Sequence, residues 1–290
     1  MTHADGIMLI AQISDTHVQM PGGKLDRNYA TAAHLERAVE HLNGLERQPD
    51  VVLLTGDTVD EGTAQEYGRL REILSDLKPP LYVIPGNHDN REELRRAFAN
   101  DGYLPRDGFL HYTVEDWPVR LIGLDTHVVG EHGGALCRER LEWLGARLQE
   151  SPARPTVVFM HHPPFRVGHQ LMDEMGLEPD SVAKFEQVLS CHKQVHQVIA
   201  GHLHRPVITR FAGTVASVCP STAQQLALDL PPLRRLATVM DPAAATLLFW
   251  DEQSGTLVHH LSYIDERPTH LLNDGGGWLD NEPLPPGFHS

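Results

Sequence analysis

Leu81-Tyr82-Val83-Ile84-Pro85-Gly86-Asn87-His88-Asp89 is an apolar run that breaks at Pro-Gly and ends in an amide, an imidazole and a carboxylate. A short apolar run closed by Pro-Gly reads as a buried strand followed by a tight turn. Four other segments repeat the arrangement: Asp15-Thr16-His17, Gly56-Asp57, His161-His162-Pro163 and Gly201-His202-Leu203-His204 each follow an apolar run. In open α/β sheets, ligands bind at the C-terminal edge of the strands, so five polar strand ends predict one shared site.

Outward from this stretch, strands alternate with helices. A strand over 7–14 leads to an amphipathic helix over 28–46, whose Ala33, Ala38, Leu42 and Leu45 form an apolar stripe. A strand at 51–54 precedes a helix at 64–77, and the strand at 81–84 precedes a helix at 91–100. This alternation predicts a layered α/β fold with parallel strands. From residue 109 the pattern becomes a hairpin, 111–115 and 119–124, around Asp116-Trp117-Pro118. A helix at 138–150, a strand at 156–160, a loop over 163–179, a helix at 181–192 and a strand at 195–200 follow. Strands within 207–218 and a hairpin over 246–264, turning near Gln253-Ser254-Gly255, complete the pattern. Two sheets flanked by helices is the simplest packing.

The 290 residues suffice for one large α/β domain with a substantial core. Cys137, Cys191 and Cys219 are odd in number and contain no CxxC pair. They suggest neither a disulfide framework nor a thiolate zinc site, and a reducing cytoplasm fits best. The apolar stretch at 7–13 has no basic region before it and is too short to span a bilayer, so neither a secretion signal nor a membrane association is expected. A net charge of −15 opposes binding to a nucleic-acid polymer, which would need phosphate-neutralising Lys and Arg. The 19 histidines are many, and several stand in pairs or at alternate positions, as a histidine-rich metal site requires.

Each polar fragment alone is compatible with a turn or a helix cap. Five in order, each after an apolar strand, are not. In Asp15-Thr16-His17 and His202-Leu203-His204, the spacing of two directs both side chains the same way on an extended backbone. Imidazole, carboxylate and amide oxygen without thiolate favour Mn²⁺, Fe²⁺/Fe³⁺, Co²⁺ or Zn²⁺. One ion cannot use every donor, whereas two can if a carboxylate bridges. Two ions roughly 3.5 Å apart activate a bridging hydroxide and neutralise phosphoryl oxygens during in-line displacement.

The ordered set D-x-H, G-D, G-N-H-D, H and G-H-x-H resembles the calcineurin-like metallophosphoesterases over residues 8–221. The resemblance implies a four-layer α/β/β/α sandwich, in agreement with the two-sheet pattern. It also implies one metal site of Asp15, His17, Asp57 and His204, and another of Asp57, Asn87, His161 and His202. Asp57 and a hydroxide would then bridge two divalent or trivalent ions of Fe, Mn, Co or Zn. His161 is taken over His162 because the family's ligand is the first residue after the strand. His88 would stabilise or protonate the leaving oxygen, with Asp89 orienting it. Residues 1–265 would form the catalytic domain and 266–290 a poorly anchored tail. Related phosphodiesterases dimerise, which makes the hairpin at 246–264 a candidate element for a homodimer or higher homo-oligomer.

Four stretches resemble the small bacterial phosphodiesterases, which include class III cyclic-nucleotide phosphodiesterases and glycerophosphodiesterases. They are Ile13-Ser14-Asp15-Thr16-His17, the run from Tyr82 to Asp89, Met160-His161-His162-Pro163-Pro164-Phe165, and Gly168-His169-Gln170-Leu171-Met172-Asp173. The last is expected to cover the substrate. The glycerophosphodiesterase pattern carries a histidine near Gln224, where this chain has none. A small phosphodiester is therefore the expected substrate, with 3′,5′-cyclic nucleotides such as cyclic AMP favoured. Glycerophosphodiesters, phosphomonoesters and nucleotide pyrophosphates remain alternatives for the same metals. A non-catalytic scaffold would be expected to lack ligands, and this chain keeps them all.

Overall fold

A computed structural model describes residues 6–265 and 267–279. The expected tail, 266–290, lies partly outside these residues. Two mixed sheets form the centre, with helices on both outer faces, giving the four layers expected.

The first sheet has the order β13-β12-β1-β2-β3. Its strands are β1 (Ile7–Ile13), β2 (Val51–Thr55), β3 (Leu81–Ile84), β12 (Ala244–Asp251) and β13 (Thr256–Tyr263). β1, β2 and β3 run parallel, whereas β12 lies antiparallel to β1, from Ile7 against Asp251 to Gln12 against Thr246. The C-terminal hairpin thus extends the main sheet, with β13 as its edge strand. The second sheet has the order β4-β5-β6-β7-β9-β8. It comprises β4 (Tyr112–Val114), β5 (Arg120–Leu124), β6 (Thr156–Met160), β7 (Val195–Ala200), β8 (Val207–Phe211) and β9 (Thr214–Val218).

Three apolar cores fill the three gaps between four layers. Alternation along the strands decides which gap each side chain enters. Met8, Ile10, Val51 and Leu53 meet Val157, Phe159 and Ile199 between the sheets. Ala11, Ile13, Val52 and Leu54 point the other way, onto helices α2 (Thr31–Gly44), α3 (Ala64–Leu74) and α4 (Arg91–Ala97). Val158 and Met160 pack beneath α5 (Arg138–Glu150) and α7 (Pro179–Ser190). Full burial of each such aliphatic side chain contributes roughly 1.5–3 kcal/mol.

Two expected elements differ. The helix expected over 28–46 is two helices, α1 (Lys24–Tyr29) and α2, because Ala30 adopts φ 49°. Thr31 Oγ1 then donates to the His17 carbonyl at 2.9 Å, fixing the start of α2 against the Asp15–His17 turn. The loop expected over 163–179 contains a short helix, α6 (Gln170–Glu174). The Asp173 carboxylate accepts from Val167 N at 2.7 Å and Gly168 N at 3.2 Å, closing the turn that leads into it. A small ladder, β10 (Gln225–Leu226) with β11 (Thr238–Val239), lies within the Pro- and Ala-rich region. No described helix is long and apolar enough to cross a membrane.

Candidate metal centre

The C-terminal ends of β1, β2, β3, β6 and β7 bring the seven expected ligand residues and His88 to one place. Their backbone there is not extended. Asp15, His17, Asp57, His202 and His204 have φ of 54°, 41°, 47°, 74° and 47°. Among the described residues these are five of the seven non-glycine residues with positive φ. Left-handed backbone costs a non-glycine residue on the order of 1–3 kcal/mol and gathers at functional sites. The side chains of each D-x-H or H-x-H unit thus converge through sharp turns, not through the alternation of a strand.

Those turns are fixed across the sheets. Asp15 N donates to Gly56 O at 3.1 Å, His17 N to Asp57 O at 2.9 Å, and His202 N to the Asp15 carboxylate at 3.0 Å. Two glycines permit the approach. A Cβ on Gly86 would collide with Asp57 Oδ1, and one on Gly201 with Ser14 Oγ.

His17 Nδ1 donates to Asp60 Oδ1 at 3.1 Å, and His204 Nδ1 to the Gln224 carbonyl at 3.0 Å. Both acceptors lack protons, so in the neutral rings each Nδ1 carries the hydrogen and each Nε2 a lone pair. These two Nε2 atoms face one another at 3.1 Å. Asp15 Oδ1 lies 3.5 Å from His204 Nε2, and Asp57 Oδ2 3.6 Å from His17 Nε2.

A second convergence lies on the other side of Asp57. His161 Nδ1 donates to Thr55 O at 2.8 Å, leaving its Nε2 lone pair 3.1 Å from Asn87 Oδ1 and 3.4 Å from Asp57 Oδ2. His202 Nδ1 is 3.0 Å from the same Asn87 oxygen. Donors bound at about 2.1 Å to one cation sit roughly 3.0–3.4 Å apart. The spacing and the thiolate-free donor set therefore fit two cations sharing Asp57.

The electrostatics divide the ligands: burial opposes protonation of His161, but the Asp57 charge and hydrogen bond raise it to about 9, so a cation there takes the place of a proton on Nε2. Burial pushes His202 down to about 3 and also lowers His204, keeping both rings neutral with lone pairs available. Burial alone would raise Asp57, but His161, His88 and His17 hold its carboxyl well below the usual carboxylate range. His162 is close by, yet Thr126 Oγ1 at 2.8 Å and the His132 carbonyl at 3.1 Å occupy both of its ring nitrogens.

His88 lines the cleft. Its Nδ1 donates to the Asp60 carbonyl at 2.9 Å, with Asp60 Oδ1 at 3.2 Å. Burial opposes protonation of His88, but the Asp60 hydrogen bonds and the Asp57 charge raise it to about 10. The expected partner, Asp89, is elsewhere. Its carboxylate accepts from Thr58 N and Oγ1, Tyr67 OH at 2.8 Å and Gly86 N at 2.8 Å, so it folds the turn and does not orient His88. Asp60 was missed in the sequence; its one signal is its place three residues after Asp57, on the same turn.

The centre lies at the floor of a cleft of about 820 Å³. Leu25 and Tyr29 form one wall, Met172 and Met175 another, and Leu236 and Thr238 the rim. Tyr29 OH and Thr238 Oγ1 share a hydrogen bond of 2.9 Å across the mouth.

A family described as calcineurin-like phosphoesterase matches residues 8–206. The chain belongs to this family of metal-dependent phosphoester hydrolases. It is 36% identical over 281 residues to a probable glycerophosphodiester phosphodiesterase GpdQ of Arcobacter nitrofigilis, covering 94% of this chain and all of that one. It is 30% identical over 275 residues to a probable cyclic nucleotide phosphodiesterase of Rhodopseudomonas palustris, covering 92% and 97%. Among solved structures, a purple acid phosphatase from yellow lupin superposes with a TM-score of 0.62 at 13% identity. That match covers 92% of this chain but only 57% of the plant enzyme, and it supports the fold alone.

Proposed function

We infer that this cleft hydrolyses small phosphodiesters with two metal ions, one held by Asp15, His17, Asp57 and His204, the other by Asp57, Asn87, His161 and His202. The observation that carries the reading is the approach of His17 Nε2 and His204 Nε2 to 3.1 Å beside two carboxylates. A proton on one ring or a cation between both holds that contact, and the two carboxylates complete the donor set of a cation. Family membership and phosphodiesterase-named relatives support it independently.

The ions would supply a nucleophile from water at neutral pH and offset charge on the phosphoryl oxygens. The chain's own residues do the rest. In hydrolysis, the bond from phosphorus to the leaving oxygen breaks as an oxygen from water attaches. The leaving oxygen must gain a proton. His88, with Nδ1 tied to Asp60, has Nε2 left to reach into the cleft and donate it. Asp60 fixes His17 and His88 together, so ligand and proton donor keep one relative orientation. Leu25, Met172, Met175 and Leu236 give the cleft an apolar lining beside the ester.

For the ester itself, we favour 3′,5′-cyclic nucleotides, because the segment around Gln224 lacks the histidine that the glycerophosphodiesterase pattern carries near there. Glycerophosphodiesters are the second reading, favoured by the Arcobacter relative that aligns over its entire length. Turnover of cyclic AMP and of glycerophosphoethanolamine by metal-loaded enzyme, against a metal-only background, chooses between them. Hydrolysis of phosphomonoesters with neither diester cleaved would overturn both.

A further inference from the structure

The loop after β9 holds three buried polar atoms with no hydrogen-bond partner: Thr222 Oγ1, Gln224 Oε1 and Gln225 Oε1. Of these residues only Gln224 lines the cleft. Its side chain is 4% exposed, and its carbonyl is held by His204 Nδ1 at 3.0 Å. Its main chain is therefore anchored beside His204, and a turn of the buried amide toward the cleft would bring it to a ligand.

The other amides of the cleft are committed. Gln19 Nε2 donates to Asp60 Oδ2 at 2.7 Å, and its Oε1 accepts from Leu25 N at 2.7 Å. Asn87 Oδ1 faces His161 and His202. Gln224 is the amide left for a ligand. A buried amide oxygen without a donor is unfavourable, and a substrate group that completes it is strongly selected. Because the two ends of the amide exchange by rotation, the matching group should both donate and accept. A hydroxyl does both.

Gln224 lines the same cleft as His17, Asp57 and His204, and its main chain is held by His204, so substituents near the phosphorus are the nearest part of an ester bound at the metal centre. We propose that Gln224 is a specificity-determining residue that hydrogen-bonds an alcohol hydroxyl on the carbon next to the one bearing the phosphoester. The proposal rests on the phosphodiesterase reading above. The ribose 2′-hydroxyl of a 3′,5′-cyclic nucleotide and the central hydroxyl of a glycerophosphodiester share this arrangement.

The test compares matched pairs: cyclic AMP with its 2′-deoxy analogue, and glycerophosphoethanolamine with 3-hydroxypropyl phosphoethanolamine, which lacks only the central hydroxyl. The natural chain should prefer the hydroxyl-bearing member of at least one pair by about 10- to 100-fold in kcat/KM, and that pair identifies the source of the alcohol. Gln224→Met, nearly isosteric and unable to hydrogen-bond, should bring the ratio to about one, while Gln224→Glu, which keeps an acceptor, should retain part of it. Each ratio is internal to one variant, so altered metal content or folding cancels. Calorimetric affinity for AMP against 2′-deoxy-AMP, and for glycerol 3-phosphate against 3-hydroxypropyl phosphate, should follow the same order. Equal rates and affinities within both pairs, or a preference unchanged in Gln224→Met, overturn the proposal. If bis(4-nitrophenyl) phosphate and all four diesters resist hydrolysis, the phosphodiesterase reading fails, and the calorimetric comparison still decides the role of Gln224.

Discussion

His17 and His204 point Nε2 at Nε2 across 3.1 Å, and each has given its Nδ1 hydrogen to an acceptor that cannot return one. In the neutral rings this leaves two lone pairs in contact, an arrangement that folding must stabilise from elsewhere.

Cation binding should therefore raise stability. Metal bound at 100 times its dissociation constant adds about 2.7 kcal/mol, or roughly 4 °C in Tm for a chain of this length. Thermal melts of chelator-stripped protein before and after addition of Mn²⁺ or Zn²⁺ measure it. Superimposable curves would remove the metal reading.

The shared carboxylate gives a stoichiometric test. Asp57 Oδ2 lies within 3.6 Å of His17 Nε2 and 3.4 Å of His161 Nε2. Asp57→Ala is expected to lose the capacity for two ions, read by elemental analysis of the purified variant. Two equivalents retained would sink the bridging role.

Asp60 offers a kinetic one. Loss of a carboxylate that orients a metal-ligating histidine typically costs 10- to 100-fold in activity or metal affinity. Asp60→Asn is expected to fall by about that factor in kcat with the melting temperature little changed. A variant with full kcat would show that His17 and His88 need no orienting.

A fourth expectation concerns pH. His127 is buried and lies close to Arg91, and burial first, then that charge, pushes it down to about 4. The folded pKa lies below the unfolded value of about 6.5. The unfolded chain thus binds more protons between these limits, so stability is complete above pH 6.5 and is lost as pH falls towards 4. His127→Gln should flatten the fall in Tm over that window. Parallel losses in both proteins would assign the acid sensitivity to other groups.

The layers and the ligand residues were legible because each depends on local pattern: apolar runs marked the strands, and Pro85-Gly86 marked a chain reversal, whereas the left-handed turns at Asp15–His17 and His202–His204 read as extended backbone. Less legible was whatever depends on distance. The Asp60 side chain reaches residues 43 and 28 positions away, His17 and His88. Asp89 was misassigned because adjacency to His88 suggested contact, whereas the turn sends its carboxylate back to Thr58, Tyr67 and Gly86. The break at Ala30 escaped because its cause, the hydrogen bond from Thr31 to His17, is not written in helix periodicity.

The pairing of β1 with β12 also sets a timetable. β12 leaves the ribosome roughly 230 residues after β1, on the order of 20 s later at typical rates of synthesis. Throughout that interval, the strand leading into Asp15 and His17 has one flank open to any other extended chain. In a nascent chain, β1 therefore keeps an unpaired flank open to mispairing until β12 has been made.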